Sequence, residues 1–237
     1  GGIYGLAGKD FTPGMVNKVL ENMASKTPIN QFTIGITDDI NNSSLPLPQE
    51  INTVPEGIKQ FIFYGIGGDG TVSANKEAIS MIADNTDNFT QAYYIFEAKK
   101  TNGFTISHLR FGPKPITSEY EIQYADYVAV HHPAYATYMP VLKNIKHKGI
   151  FLLNSSCSTL EDFEKFLPPQ LKREIAEKEI RFYNIDASAV AKKIGLGNRT
   201  NTIMNTTMFK LAGEGIITED LAKDLFRKAV LKNYGKG

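Results

Sequence analysis

From Phe61 to Asp84 the chain passes from an apolar stretch, FIFYG, through the glycine-rich turn IGGDG into TVSANKEAISMIAD, whose apolar spacing predicts a helix. A strand that feeds a helix through so short a turn is a local unit of an α/β layered fold. Gly65, Gly67 and Gly70 give the spacing G-x-G-x-x-G, with Gly68 as an additional glycine. Lacking Cβ atoms, such a turn lets backbone N–H groups approach an anion, and the N-terminus of the following helix favours negative charge. The same residues also suit a tight corner that binds nothing.

The rest of the chain repeats the alternation. Thr12-Pro13 predicts a capped helix that carries Met15, Val16, Val19, Leu20 and Met23. Further strands are expected at 31–36, 92–97, 105–109, 127–131, 149–154 and 180–185. Helices are expected from Ser158-Thr159 to Phe166, after Asp186 up to Gly195, and at 200–212 and 218–234, with a long polar connection over 41–55. The predicted fold is α/β: a Rossmann-like layered fold with a mainly parallel or mixed sheet and a helical C-terminal cap. One domain is expected over 1–237.

Charge and cysteine content narrow the function. Lys plus Arg number 26 against 25 Asp plus Glu, which gives no overall electrostatic case for nucleic acid or an anionic membrane. Cys157 is the sole cysteine, so the chain has no internal disulfide, Cys-based zinc site or Cys-ligated iron-sulfur cluster. This fits a cytoplasmic or other reducing compartment. No apolar run reaches the roughly 20 residues that span a bilayer. The ends, Gly1-Gly2 and Tyr234 to Gly237, suggest a piece of something longer.

Neighbouring residues separate the readings of the turn. A phosphate loop of the Walker type needs Lys and then Ser or Thr after its last glycine, whereas Thr71 and Val72 follow Gly70. Gly68-Asp69-Gly70 opens a thiamine diphosphate signature, but the asparagine pair it requires is missing from 95–99. A dinucleotide fold wants an acidic residue about 20 positions on, and Glu97 stands somewhat beyond that. In a fourth reading Asp69 only stabilises the turn and caps the helix.

Lys99, Lys100 and Arg110 are candidate cationic helpers for a phosphate, or partners in surface ion pairs. His131 and His132 end a strand on the side where α/β proteins bind ligands, although structural roles suit them better. His108 reads as a hydrogen-bonded sheet residue, His147 as solvated and Cys157 as inert. Asn198-Arg199 offers a further anion-binding turn. No nucleophile, base and oxyanion hole assemble, so no catalytic residue and no metal ligand is expected.

The segments YGL (4–6), KDFTP (9–13), GDGTVSANKEAI (68–79), HLRFGPKPI (108–116), FLLNS (151–155), FYNIDA (182–187), IGLGNR (194–199) and FKLA (209–212) occur in that order. By these the chain resembles the gamma domain of pyruvate:ferredoxin (flavodoxin) oxidoreductase, together with the related pyruvate:NADP oxidoreductases. The resemblance implies a multidomain enzyme that oxidatively decarboxylates pyruvate to acetyl-coenzyme A. Thiamine diphosphate, magnesium and iron-sulfur clusters are then held by other domains of the same parent chain, which is expected to be a homodimer. Ferredoxin, flavodoxin or an NADP module takes the electrons.

For this domain the resemblance implies covering the active site and helping to receive coenzyme A. Gly65, Gly67, Gly68, Asp69, Gly70 and Thr71 would form the diphosphate cradle, with Lys99, Lys100 and Arg110 beside it. Ala7-Gly8, Ser73, His132 and Asn198 depart from the family pattern. These departures leave open a divergent branch, such as a sulfite reductase flavoprotein, in which the domain is an assembly module. An independent NAD(P)-binding dehydrogenase domain using Glu97 is the other alternative.

Overall fold

The computed structural model describes residues 2–3, 11–38, 40–46, 49–97 and 103–234. They fall into two units, Gly1–Val54 with Thr117–Gln123, and Pro55–Ile116 with Tyr124–Gly237. In the first unit, strand β1 (Gly2–Ile3), helix α1 (Pro13–Ala24) and strand β2 (Phe32–Thr33) follow in order. Thr12 Oγ1 accepts the Met15 N–H at 3.3 Å and Pro13 takes the first helical position, the start that Thr12-Pro13 predicts. Met15 and Val19 pack on buried Phe32, Ile34 and Leu45. The strand expected over 31–36 shortens to two residues because Gln31 and Gly35 take positive φ, 53° and 77°, which breaks the extended backbone.

The second unit carries the glycine turn. Strand β3 (Lys59–Ile66) leads into helix α2 (Thr71–Asn85), then β4 (Phe89–Phe96), β5 (Phe104–Gly112) and β6 (Ala125–Val130). A short helix α3 (Tyr135–Tyr138) precedes β7 (Ile145–Asn154), α4 (Leu160–Phe166), α5 (Pro169–Glu177) and β8 (Arg181–Ile185). Helices α6 (Ala187–Lys193), α7 (Asn201–Ala212) and α8 (Glu219–Tyr234) close the chain. The six strands form one mixed sheet in the order β4-β5-β3-β6-β7-β8. From β3 to β8 the pairing is parallel, while β5 runs antiparallel to both β3 and β4. The α/β class, the mixed sheet and the helical C-terminal layer agree with the prediction.

Inner strands of a parallel sheet are covered on both faces and must be apolar throughout. Val128, Ala129 and Val130 of β6 and Phe151, Leu152 and Leu153 of β7 are all fully buried. One face meets α2, α7 and α8, where Phe61, Phe63, Leu109, Phe111 and Tyr127 pack with Ala78, Ile82, Met204, Met208 and Phe209. Phe61 lies 5.1 Å from Tyr127 and 5.4 Å from Phe111 between ring centres, in tilted and edge-on arrangements that aromatic quadrupoles favour.

Local capping sets the helix starts. Thr159 and Asp162 form a reciprocal capping box before α4, and Asp186 Oδ1 accepts the Ala189 N–H at 2.8 Å at the head of α6. Replacing Asp186 by alanine is expected to cost about 1 kcal/mol. A urea midpoint indistinguishable from that of the parent chain would show that this cap contributes nothing.

Candidate functional site

In an open α/β sheet, ligands bind beyond the carboxyl ends of the strands where neighbouring connections diverge. Here that place lies between β3 and β6. The chain leaves β3 toward the β5-β4 edge, and it leaves β6 toward β7 and β8. The turn 66–70 and His131 stand on either side of the divide, joined by a hydrogen bond between Thr71 Oγ1 and His131 Nδ1 of 3.1 Å.

The turn is held from within. The Asp69 carboxylate folds back so that Oδ2 accepts the Ile66 N–H at 2.9 Å and Oδ1 the Thr71 N–H at 2.7 Å. The Asp69 N–H donates to Ile66 O, and the Gly67 N–H to Gly103 O at 2.7 Å. Gly68 and Gly70 take φ of 94° and 85°, which glycine adopts without steric cost. From α7, Asn201 Nδ2 donates to the Asp69 carbonyl at 2.7 Å. The turns at Gly195 and Gly197, with φ of 80° and 61°, carry the chain from α6 into α7 and so to Asn201.

Four N–H groups at this corner, those of Gly68, Gly70, Val72 and Ser73, have no acceptor among the described residues. They sit at the head of α2, where aligned peptide dipoles favour an anion. Gly68 is exposed, and a Cβ built on it would meet nothing within 4 Å among the described residues. A phosphate can therefore reach the backbone here.

The structure narrows the expected cradle. Gly65 lies inside β3, paired with Thr105. Gly67 is bonded to Gly103, and both polar groups of fully buried Thr71 are taken, so these three residues shape the corner instead of facing a ligand. Asp69 stabilises the turn, as the fourth reading expects. Arg110 requires a correction. It is 1% exposed, with Nε donating to Gln60 Oε1 at 3.2 Å and a terminal nitrogen to Gln91 Oε1 at 2.7 Å. It pairs with Gln60, near the opposite end of β3 from Ile66, roughly 20 Å along the strand. Lys99 and Lys100 lie outside the described residues.

The dinucleotide alternative fails on topology. Antiparallel β5 separates β4 from β3, so Glu97 stands about two strand spacings, or ~10 Å, from the glycine strand. Its carboxylate accepts the Phe104 N–H at 3.2 Å, which closes its own hairpin.

Burial governs the titrating groups nearby. It holds His131 down at about 4, against the opposing effects of the Asp69 charge and the Asn201 carboxamide. Tyr135 is pushed up to about 12 by burial, then by Tyr138, Asp69 and Glu97. His132 is exposed and lies 5.6 Å from the Tyr135 ring. Away from the turn, burial and the Arg110 charge hold His108 at about 4, and His147 lies 3.4 Å from Glu179 on the surface. Cys157 is part-buried, and its N–H donates to Ser155 Oγ at 3.4 Å. Among the described residues no group of His, Cys, Asp and Glu could hold a metal ion, and no helix is long and apolar enough to cross a membrane.

Sequence reasoning missed Asn201 and the N–H groups of Val72 and Ser73. The two N–H groups follow from the helix start alone, whereas Asn201 meets the turn only through tertiary packing.

Known proteins place the chain in a family. The family model described as pyruvate ferredoxin/flavodoxin oxidoreductase matches residues 60–236. Pyruvate:ferredoxin oxidoreductase of Moorella thermoacetica is 48% identical over 236 residues, 100% of this chain and 20% of its own length. Pyruvate dehydrogenase (NADP+) of Cryptosporidium parvum is 49% identical over 237 residues, 100% of this chain and 12% of its own. The chain thus spans a minor part of the curated relatives it matches. A pyruvate oxidoreductase subunit of Thermotoga maritima superposes with a TM-score of 0.53 at 16% identity, covering 76% of this chain and 97% of that one.

A 2-oxoglutarate:ferredoxin oxidoreductase of Magnetococcus marinus, solved with 2-oxoglutarate, coenzyme A and succinyl-CoA bound, gives a TM-score of 0.55 at 16% identity, covering 76% of this chain and 28% of that one. At such identity the likeness is one of fold. With the family match running from β3 through α8, the chain belongs to the pyruvate ferredoxin/flavodoxin oxidoreductase family.

Proposed function

We propose that this chain is a domain of a larger pyruvate oxidoreductase and receives coenzyme A, with the coenzyme's diphosphate on the free N–H groups of Gly68, Gly70, Val72 and Ser73. The observation that carries the reading is the open approach to those donors over Gly68. In the parent enzyme the carboxyl carbon of pyruvate leaves as carbon dioxide and two electrons pass to ferredoxin, flavodoxin or NADP. The acetyl unit joins the coenzyme's sulfur. Thiamine diphosphate, magnesium and iron-sulfur clusters belong to other parts of that enzyme, in a reducing compartment.

Within this chain the residues bind and orient. Asp69 brings a negative charge to the corner, but both its oxygens already accept N–H groups, and the dipole of α2 remains directed outward. Lys99 and Lys100, between Glu97 and turn-bonded Gly103 in the sequence, are the proposed cationic partners. An assembly module without a ligand would have side chains filling the space before the turn, and no described residue fills the space over Gly68.

A paired substitution at Gly68 tests the reading in the whole enzyme. Asparagine and aspartate tolerate positive φ alike and differ in charge. Gly68→Asp is expected to raise the KM for coenzyme A about tenfold, as ~1.4 kcal/mol of repulsion would, with Gly68→Asn much closer to the parent and the KM for pyruvate unchanged in both. Equal KM values for coenzyme A in the two variants would refute a diphosphate at this turn.

A further inference from the structure

A second polar site lies beneath the first two turns of α2. In the β3-β5 ladder Gly65 stands opposite Thr105 and Phe63 opposite Ser107, and Tyr94 of β4 stands opposite Ser107. Directly opposed residues share one face of a sheet. The face at Gly65 is the one that Thr71 covers, so Thr105, Ser107 and Tyr94 look toward α2. Asn75 follows Thr71 by one helical turn and shares its inward face.

Asn75 and Ser107 are 0% exposed and Thr105 is 5% exposed. Yet both amide atoms of Asn75 and the hydroxyls of Thr105, Ser107 and Tyr94 are buried with no partner among the described residues. At the neighbouring α2-α7 contact, Asn205 Nδ2 donates to Ala74 O at 2.9 Å while its buried Oδ1 accepts nothing. Nearly all buried polar atoms in folded proteins are hydrogen-bonded, because removing one from water without replacement opposes folding. Five such atoms along the α2-sheet seam, with the Asn205 oxygen nearby, call for a polar molecule small enough to fit between a helix and a sheet.

We propose that this seam is an internal hydration site, in which a few ordered water molecules bridge Asn75 of α2 to Thr105, Ser107 and Tyr94. Each buried water makes about three hydrogen bonds, so about two waters match the five atoms. The head of α2, which carries the free N–H groups, then rests at this point on exchangeable bridges between the buried Thr71 and Ala74 and the apolar cluster that starts at Ala78. The site does not depend on coenzyme A binding.

A high-resolution crystal structure of the protein tests the proposal. Water density within about 2.7–3.2 Å of Asn75 and of at least one of Ser107 and Thr105 is expected. A direct Asn75–Ser107 or Asn75–Thr105 hydrogen bond with no water between would overturn it. Magnetic relaxation dispersion gives an independent count: Asn75→Leu should lose at least one long-lived internal water, and an unchanged count counts against the site. Should that variant fail to fold, the wild-type density decides.

Discussion

Gly65→Val is expected to destabilise the sheet unit by about 3 kcal/mol and to disorder the glycine turn with it. The cause is space, not backbone conformation. A Cβ on Gly65 would lie 2.7 Å from both Cβ and Oγ1 of Thr71 and 2.9 Å from its Cγ2. Thr71 has nowhere to retreat, being 0% exposed, with its N–H on Asp69 and its hydroxyl on His131. Displacing it breaks the link between the head of α2 and the end of β6 and pulls on the carboxylate that closes the turn. Overpacking alone costs about 1–3 kcal/mol, and loss of the buried hydrogen bond adds roughly 1. Gly65→Ala should show the same defect in smaller measure. Denaturation in urea checks both, and a Gly65→Val midpoint equal to the wild type would mean that the corner yields freely. Gly68→Asn provides the contrast, because at Gly68 a side chain meets open space and only the positive φ is strained.

That contrast separates what the sequence shows from what it hides. The spacing of Gly65, Gly67 and Gly70 correctly marks a strand-to-helix corner, since local periodicity and turn chemistry are written in neighbouring residues. So are the caps at Thr12 and Asp186. Which glycine serves which purpose is not local. Gly65 admits Thr71 from the following helix, Gly70 makes room for Asn201 from α7 and Gly68 faces solvent.

The direction of β5 is likewise hidden, because an apolar strand reads the same in either direction and only its partners fix parallel or antiparallel pairing. Inserting it between β3 and β4 moved Glu97 away from the glycine strand. Arg110 misleads for a related reason. A lone cation in a strand suggests solvent or a ligand, yet buried Gln60 and half-buried Gln91 stand in register on either side of it and make a polar row. The signal was two glutamines placed within otherwise apolar strands, legible only once the register is known.

Acidification is expected to weaken the fold between pH 6.5 and about 4, through two imidazoles kept neutral by burial. Burial is the leading cause at both His131 and His108, and each is lowered from 6.5 to about 4. Because the folded value is depressed, the unfolded chain takes up the proton first. Stability is complete above pH 6.5, falls as the pH drops toward 4, and levels off once the folded protein is protonated too. At about 1.4 kcal/mol per unit, each histidine accounts for roughly 3 kcal/mol, which is large against a typical stability of about 5–15.

The surface carboxylates of Asp38, Asp162 and Glu219 act mainly below this window. Hydrogen bonds from Ser43, from the Ser158 N–H and from Lys210 respectively are the main causes that hold them at about 2, so their effect lies at lower pH. For His131 the groups at hand oppose one another. The Asp69 charge and Asn201 favour protonation, burial resists it, and Thr71 Oγ1 lies against Nδ1. Protonation there should loosen the corner that carries the free N–H groups, whereas at His108 it acts in the β5 core. Urea denaturation across this range should therefore show a slope of up to two protons in the wild type. His131→Asn and His108→Asn should each reduce it by one, and a full slope retained in either variant would remove that histidine from the account.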